Sequence, residues 1–237
     1  MAEISIDEIV RKMKQGLTEP YLCKADDTNT YVVKSSNATY AGLVKEWVVA
    51  HLGKEFGLPI PSFKIAWLDD ALLQYNDYNI EAGYCFASHY HPNIQEITFN
   101  QIEGLSPNLL KDLFIFDYWV KNNDRNLTQY GGNANFFFDQ KTQEPFVLDH
   151  NLSFSEDFDL NAHIGQHVGA SNWEGLDLVD RQHYEKKFVK AFSVVDNAID
   201  TIPDDWLERY SKETIGNEIL SVLERYKDDE FWEGIKK

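Results

Sequence analysis

Cysteine, methionine and basic side chains are scarce in this 237-residue chain: two Cys, two Met, and 22 Lys+Arg against 39 Asp+Glu, a formal charge of −17. Cys23 and Cys85 are too few for a disulfide framework and suit buried thiols in a reducing compartment. With so few Lys and Arg, and no cluster of them, a nucleic-acid partner is disfavoured, because binding a phosphate backbone depends on clustered cations. No run reaches the ~20 apolar residues that cross a bilayer. The most apolar stretch, 109–120, is broken by Lys111, Asp112 and Asp117. The first ten residues lack the basic flank and apolar centre of a signal peptide, so a cytoplasmic protein without a membrane partner is expected. Repeats, low-complexity tracts and linkers are also missing. What the chain does have is large apolar side chains, with 15 Phe, 12 Tyr and 6 Trp at 43% hydrophobic content, enough for a substantial core.

Periodicity divides the chain near residue 88. Residues 4–15 mix acidic, apolar and basic side chains at helical spacing and predict an amphipathic helix. Two β-rich runs, 20–24 and 31–34, flank a polar tract and predict a hairpin. Leu43, Trp47, Ala50, Leu52 and Phe56 then recur on one side of a helix that ends at Gly57. Residues 63–67, 71–74 and 84–88 predict further strands. Beyond residue 88 helix dominates. Ser106-Pro107 forms an N-cap and first helical position, followed by Leu109, Leu110, Leu113, Phe116, Trp119 and Val120 at three- and four-residue steps. Residues 135–138 and 145–148 predict a short hairpin, and 184–199 and 205–226 predict two closing helices. The expected fold class is α+β and two-lobed, with a small β-rich lobe (1–88) and a larger, mainly helical lobe (89–237).

Five features carry chemistry. Asn122-Asn123-Asp124-Arg125-Asn126 follows a buried helix; a carboxylate there can orient or deprotonate a hydroxyl, or the segment is simply a helix-end cap. Phe146-Val147-Leu148-Asp149-His150 ends a strand in a carboxylate, a common position for a Mg²⁺ ligand. Asn133-Ala134-Asn135 opens the partner strand, and a hairpin would bring Asn135 and Asp149 together near Asp124. Lys34 ends a strand twelve residues before Glu46 in a helix, the arrangement that orients ATP phosphates in protein kinases. The histidines are the fifth feature. His163 and His167 lie four apart but lack the Glu of a zinc protease signature, so polar loop or groove roles are favoured over metal.

Strand Lys, helix Glu, strands, buried helix, Asp-Arg loop, Asn, strand, Asp is the order of a kinase. The segments YVVKSS, LVKEWVVAHLGKEFGLPIP, FDYWVKNNDRN, NANFFF and FVLDHNLSF resemble the HipA-like kinase family over residues 18–154. The resemblance implies a protein-kinase-like fold, related to the phosphatidylinositol kinases, with ATP and Mg²⁺ as cofactors. It implies phosphorylation of a hydroxyl, with a protein Ser or Thr as acceptor and a cognate antitoxin or regulator as partner. Carried over, Lys34 contacts ATP phosphates with Glu46 as its ionic partner, Asp124 is the catalytic base accompanied by Arg125, and Asn135 with Asp149 holds Mg²⁺. Asn133 is the alternative amide ligand. Backbone groups of Phe86, Ala87 and Ser88 are expected at the interlobe hinge, against adenine. The turn 24–30, where a phosphate-covering loop is expected, has no glycine. A small-molecule phosphotransferase and a non-catalytic, protein-binding pseudokinase are the other readings.

Overall fold

A computed structural model describes residues 2–13, 18–74 and 78–236. Five strands form a closed barrel in the order β1-β2-β3-β5-β4. They are β1 (Ile4–Lys12), β2 (Tyr21–Ala25), β3 (Thr30–Lys34), β4 (Phe63–Leu68) and β5 (Gly83–His89). The barrel interior is its own apolar cluster, built from Ile4, Ile6, Ile9, Tyr21, Cys23, Tyr31, Val33, Ala66, Leu68, Cys85 and Ala87. The expected helix over residues 4–15 is therefore a strand, of which 14 and 15 lie outside the described residues. Its inward residues step by two and then by three because the ladder to β2 shifts register between Ile6 and Glu8 and again between Ile9 and Arg11. An extra residue in a strand turns a two-residue repeat into a three-residue step, and that step mimics a helix.

Between β3 and β4 lies α1 (Tyr40–Phe56), capped by the Thr39 hydroxyl on Gly42 N and closed by Gly57 in the left-handed region at φ 101°. Residues 70–72, expected within a strand, form a 3₁₀ turn started by the Asp69 carboxylate on Ala71 N. After β5 come β6 (Ile94–Glu96) and α2 (Pro107–Trp119), the latter capped by Ser106 with Pro107 in its first turn. A small hairpin, β7 (Asn126–Thr128) and β8 (Gly131–Asn133), precedes β9 (Phe136–Asp139) and β10 (Pro145–Val147). Strands β6, β9 and β10 make a three-stranded antiparallel sheet. Helices α3 (Leu160–Gln166), α4 (Leu178–Phe192) and α5 (Val195–Asp200) follow.

The helix expected over 184–199 is thus two: α4 starts earlier, at a capping box of Asp177 and Asp180, and breaks before α5. The run expected over 205–226 is likewise broken. A new start at Ser211, whose hydroxyl caps Thr214 N, separates the turn at 204–207 from a helical stretch that contains a π-turn at Gly216–Leu220.

A second apolar cluster joins α1, α2, α4 and the C-terminal helices. Apolar packing therefore does not divide at residue 88: α1 buries its apolar residues with the helices that come later in the chain. Five tryptophans fix this arrangement, each indole N–H donating to a backbone carbonyl, four of them distant in sequence. Trp47 reaches Ala198 O at 2.9 Å, Trp119 reaches Leu223 O at 2.8 Å, and Trp173 reaches Ile235 O at 3.0 Å. Trp206 reaches Tyr84 O at 3.1 Å and Trp232 reaches Tyr226 O at 2.8 Å. No helix among the described residues is long and apolar enough to cross a membrane. Trp119 is fully buried, so Trp119→Ala should lower unfolding free energy by about 3–5 kcal/mol, measured by urea denaturation.

Candidate active site

Lys34 closes β3, and its ladder partner is Phe86 on β5. Only 8% exposed, its ammonium lies 3.0 Å from Glu46 Oε2 and 2.8 Å from Asp149 Oδ1. Burial disfavours the ammonium, yet Asp149 and Glu46 outweigh it and lift its pKa above that of an ordinary lysine. Burial raises Glu46, only partly offset by Lys34, whereas at Asp149 the attraction of Lys34 wins over burial and the pKa is lowered. A single cation between two carboxylates thus holds Asp149 as the firmly ionised member. Glu46 Oε2 also accepts the backbone N–H of His150 at 3.0 Å, so α1 grips the residue beside Asp149.

Asp124 lies half-buried in the loop after α2. The Asn122 amide turns this loop: its nitrogen donates to Asp117 Oδ1 at 3.0 Å and its oxygen accepts Asp124 N at 3.0 Å. The helix-end cap anticipated for this segment therefore exists, and it is what aims Asp124. Asn133 Nδ2 donates to both Asp124 carboxylate oxygens, at 2.9 and 3.0 Å, and Asn135 Nδ2 donates to Asp124 O at 2.8 Å and Oδ2 at 3.1 Å. Asn135 Nδ2 is thus committed to Asp124, and its side-chain carbonyl oxygen has no hydrogen-bond donor among the described residues. Asn135 also accepts Leu148 N at 3.0 Å on its backbone oxygen, which sets it beside the strand leading to Asp149. Asn135 and Asp149 share a left-handed backbone, at φ 45° and 59°, a conformation Asn and Asp tolerate best among residues with a side chain.

Arg125 faces inward. It is fully buried, with Nε 2.6 Å from Asp117 Oδ2. Its Nη1 donates to the carbonyls of Ala134, Asn135 and Leu148 at 3.3, 2.7 and 3.2 Å, and Nη2 lies 3.2 Å from His150 Nδ1. One guanidinium thus ties together the loops that carry Asp124, Asn135 and Asp149. It is a positioning residue rather than one that meets a substrate. Glu96 adds to this frame, its Oε1 accepting the N–H groups of Ala134 and Asn135, each at 3.0 Å.

Two expectations change. Phe86, Ala87 and Ser88 lie mid-strand in β5, paired to β3 on one side and β4 on the other. Both ladders consume their backbone donors and acceptors, so these groups are not free for adenine. The chain leaves the barrel only after His89, and residues 90–93 link it to β6. The glycine-free turn after β2 is also misplaced as a phosphate cover. Lys24 pairs with Thr30, about 13 Å along β3 from Lys34 at the usual strand rise. That turn is folded onto the far end of the barrel by Asp27, which accepts from Tyr31 Oη at 2.7 Å and Lys64 Nζ at 2.9 Å. Lys12 pairs with Tyr21, which in turn pairs with Val33, so the end of β1 and the start of β2 stand at the Lys34 end instead.

His163 and His167 both have protein partners: His163 Nε2 meets Phe114 O at 3.0 Å and His167 Nε2 meets Asp117 Oδ2 at 2.9 Å. Asp117 and Glu96 were not singled out from sequence as site residues, and His150 and His167 were noted without the partners the structure gives them. The one available signal was Asp117, a carboxylate inside an otherwise apolar, buried helix.

The sequence matches the family of HipA-like kinases over residues 6–235. The chain belongs to that family. No curated protein sequence matches it. Among solved structures this HipA-like kinase is similar to the *Helicobacter pylori* proinflammatory kinase CtkA, with a TM-score of 0.51 at 14% identity over 96% of each chain. It is also similar to the Golgi casein kinase, with a TM-score of 0.59 at 11% identity over 99% of this chain and 73% of that one. The same enzyme was solved with Mn and ADP bound, and that structure gives a TM-score of 0.58 at 11% identity. At such identities the likeness is one of fold, and the fold is that of a kinase.

The buried histidines of this HipA-like kinase give it a defined acid response. Burial, reinforced at His150 by Arg125 and at His163 by His167, pushes both imidazoles down to about 3, and His167 is lowered in the same way. Their unfolded values lie near 6.5, so between pH 6.5 and about 3 the unfolded chain binds more protons. Stability should be full above pH 6.5 and fall as pH drops through that window, by up to about 1.4 kcal/mol per pH unit for each imidazole. Thermal denaturation at a series of pH values checks this, and His163→Phe should flatten the slope.

Proposed function

We propose that the protein is an ATP- and Mg²⁺-dependent kinase that transfers the γ-phosphate to a Ser or Thr hydroxyl of a protein. The observation that carries this reading is Lys34 held between Glu46 and Asp149, with the segments that carry Asp149, Asn135 and Asp124 tied together by the Arg125 guanidinium. In that reading the Lys34 ammonium orients the nucleotide phosphates, and Glu46 keeps it pointed there. Asp149 and the free carbonyl oxygen of Asn135 are the metal ligands. Both are hard oxygen donors, and two of them with phosphate oxygens suit Mg²⁺. When bound, Mg²⁺ neutralises charge on the phosphates.

Asp124 accepts the hydrogen bond of the acceptor hydroxyl and aligns its oxygen with the γ-phosphorus. The amide N–H groups of Asn133 and Asn135 fix its carboxylate oxygens in place, which suits alignment of the hydroxyl. Asn133 holds Asp124 still, leaving Asn135 as the metal-binding amide. Catalysis by this site is chiefly positioning and electrostatic stabilisation. The glycine-free turn, which had favoured a non-catalytic reading, stands at the wrong end of the barrel to weaken nucleotide binding.

With radiolabelled ATP, Asp124→Ala and Asp149→Ala should each reduce phosphate transfer by at least about 10²-fold while circular dichroism stays native. Full activity in either variant overturns the assignment. Asn135→Ala should raise the Mg²⁺ needed for half-maximal rate and weaken Mn²⁺ binding seen by electron paramagnetic resonance. Asn133→Ala should leave Mn²⁺ binding intact and lower kcat.

A further inference from the structure

The chain that follows Asp149 returns to the catalytic loop and is fastened there. Val168 N donates to Arg125 O at 3.0 Å, and Asn126 and His167 form an isolated antiparallel bridge. The His167 side chain continues the contact: Nε2 lies 2.9 Å from Asp117 Oδ2, the same oxygen that accepts Arg125 Nε at 2.6 Å. Gly169 N donates to His167 Nδ1 at 3.0 Å. That bond leaves the ring proton on Nε2, so the imidazole donates to the carboxylate. Gly169 itself lies against α2, where a Cβ would come 2.3 Å from Leu110 O, so any side chain there would push the segment away.

Where phosphorylation orders a kinase segment, an arginine supplies the donors that the phosphate binds. Arg125 is closed to that use. It is 0% exposed, and each of its three nitrogens already has a protein acceptor.

We propose that the His167–Asp117–Arg125 chain is a built-in latch holding the segment 150–168 against the catalytic loop in place of a phosphorylated residue, so that the site is competent without modification. The proposal rests on the kinase reading above. His167 and Asp117 are positioning residues that act through Arg125 on Asp124, Asn135 and Asp149.

Two measurements on the full chain test it. Protein co-expressed with a phosphatase, its unmodified mass verified, should turn over as fast as untreated protein; loss of turnover on dephosphorylation overturns the latch. His167→Phe should lower kcat about tenfold, the loss expected for one charge-assisted hydrogen bond, with KM for Mg·ATP unchanged. The amides of residues 124–126 and 168–169 should exchange with deuterium faster than in wild type. His167→Gln, whose side-chain amide still donates to Asp117, should restore both. Wild-type kcat and exchange in His167→Phe would overturn the proposal. Exchange reports the latch even in a chain that transfers no phosphate, so protected amides without any turnover would count against the kinase reading alone. If His167→Phe does not fold, the dephosphorylation experiment decides the matter by itself.

Discussion

A guanidinium without access to water must find all its acceptors inside the protein, and the carboxylate that balances its charge must be there too. Arg125 and Asp117 meet that requirement together, and their pairing fixes where four other segments can go. Asp117 is placed by the apolar face of α2, so the guanidinium has a fixed origin. From it, three backbone carbonyls on the hairpin that carries Asn135 and Asp149 are drawn in, and His150 is set between the guanidinium and Glu46. Removing either partner would leave a buried charge uncompensated, with a cost well beyond that of a surface ion pair. The segments that carry Asp124, Asn135 and Asp149 are consequently held by a guanidinium that is itself buried.

A smaller version of the same constraint operates at Lys34. Its two carboxylates are not equivalent: one comes from a helix and also holds a backbone N–H, and the other stands at a strand end in a left-handed conformation. The helix carboxylate sets the lysine, and the lysine keeps the strand-end carboxylate ionised. In the proposed reaction that division presents an anionic nucleotide with one defended cation rather than a broad basic surface.

Much of the site was legible because its residues stand at element boundaries, where a charged or amide side chain interrupts an apolar run. Lys34, Asp124, Asn135 and Asp149 could be picked out in this way, and Glu46 by its spacing from Lys34 inside a helix; the structure pairs Lys34 with Glu46 and Asp149, and Asn135 with Asp124. The residues that support them are different. Asp117 and His167 are fifty positions apart, as are Glu96 and Asn135 by thirty-nine, and nothing local marks them as partners. In the fold, α1, α2 and the β9–β10 hairpin followed from periodicity and capping. Strand β1 did not, because its two register shifts imitate helical spacing. The pairing of Phe86–Ser88 on both sides was equally hidden, because an apolar run does not reveal that both of its edges are already taken.

The tryptophan contacts have an implication for how the molecule is made. Trp47 on α1, the residue after Glu46, is hydrogen-bonded to Ala198 and Thr201, and Trp206 is bonded to Tyr84 of β5. During synthesis, every residue of the proposed chemistry has left the ribosome well before these anchors emerge. The helix bearing Glu46 then lacks its far support, and the lysine lacks a fixed partner. The nascent chain therefore passes through a long interval in which its reactive groups exist but are not yet arranged, and acquires its working geometry only when residues 198–206 close over it.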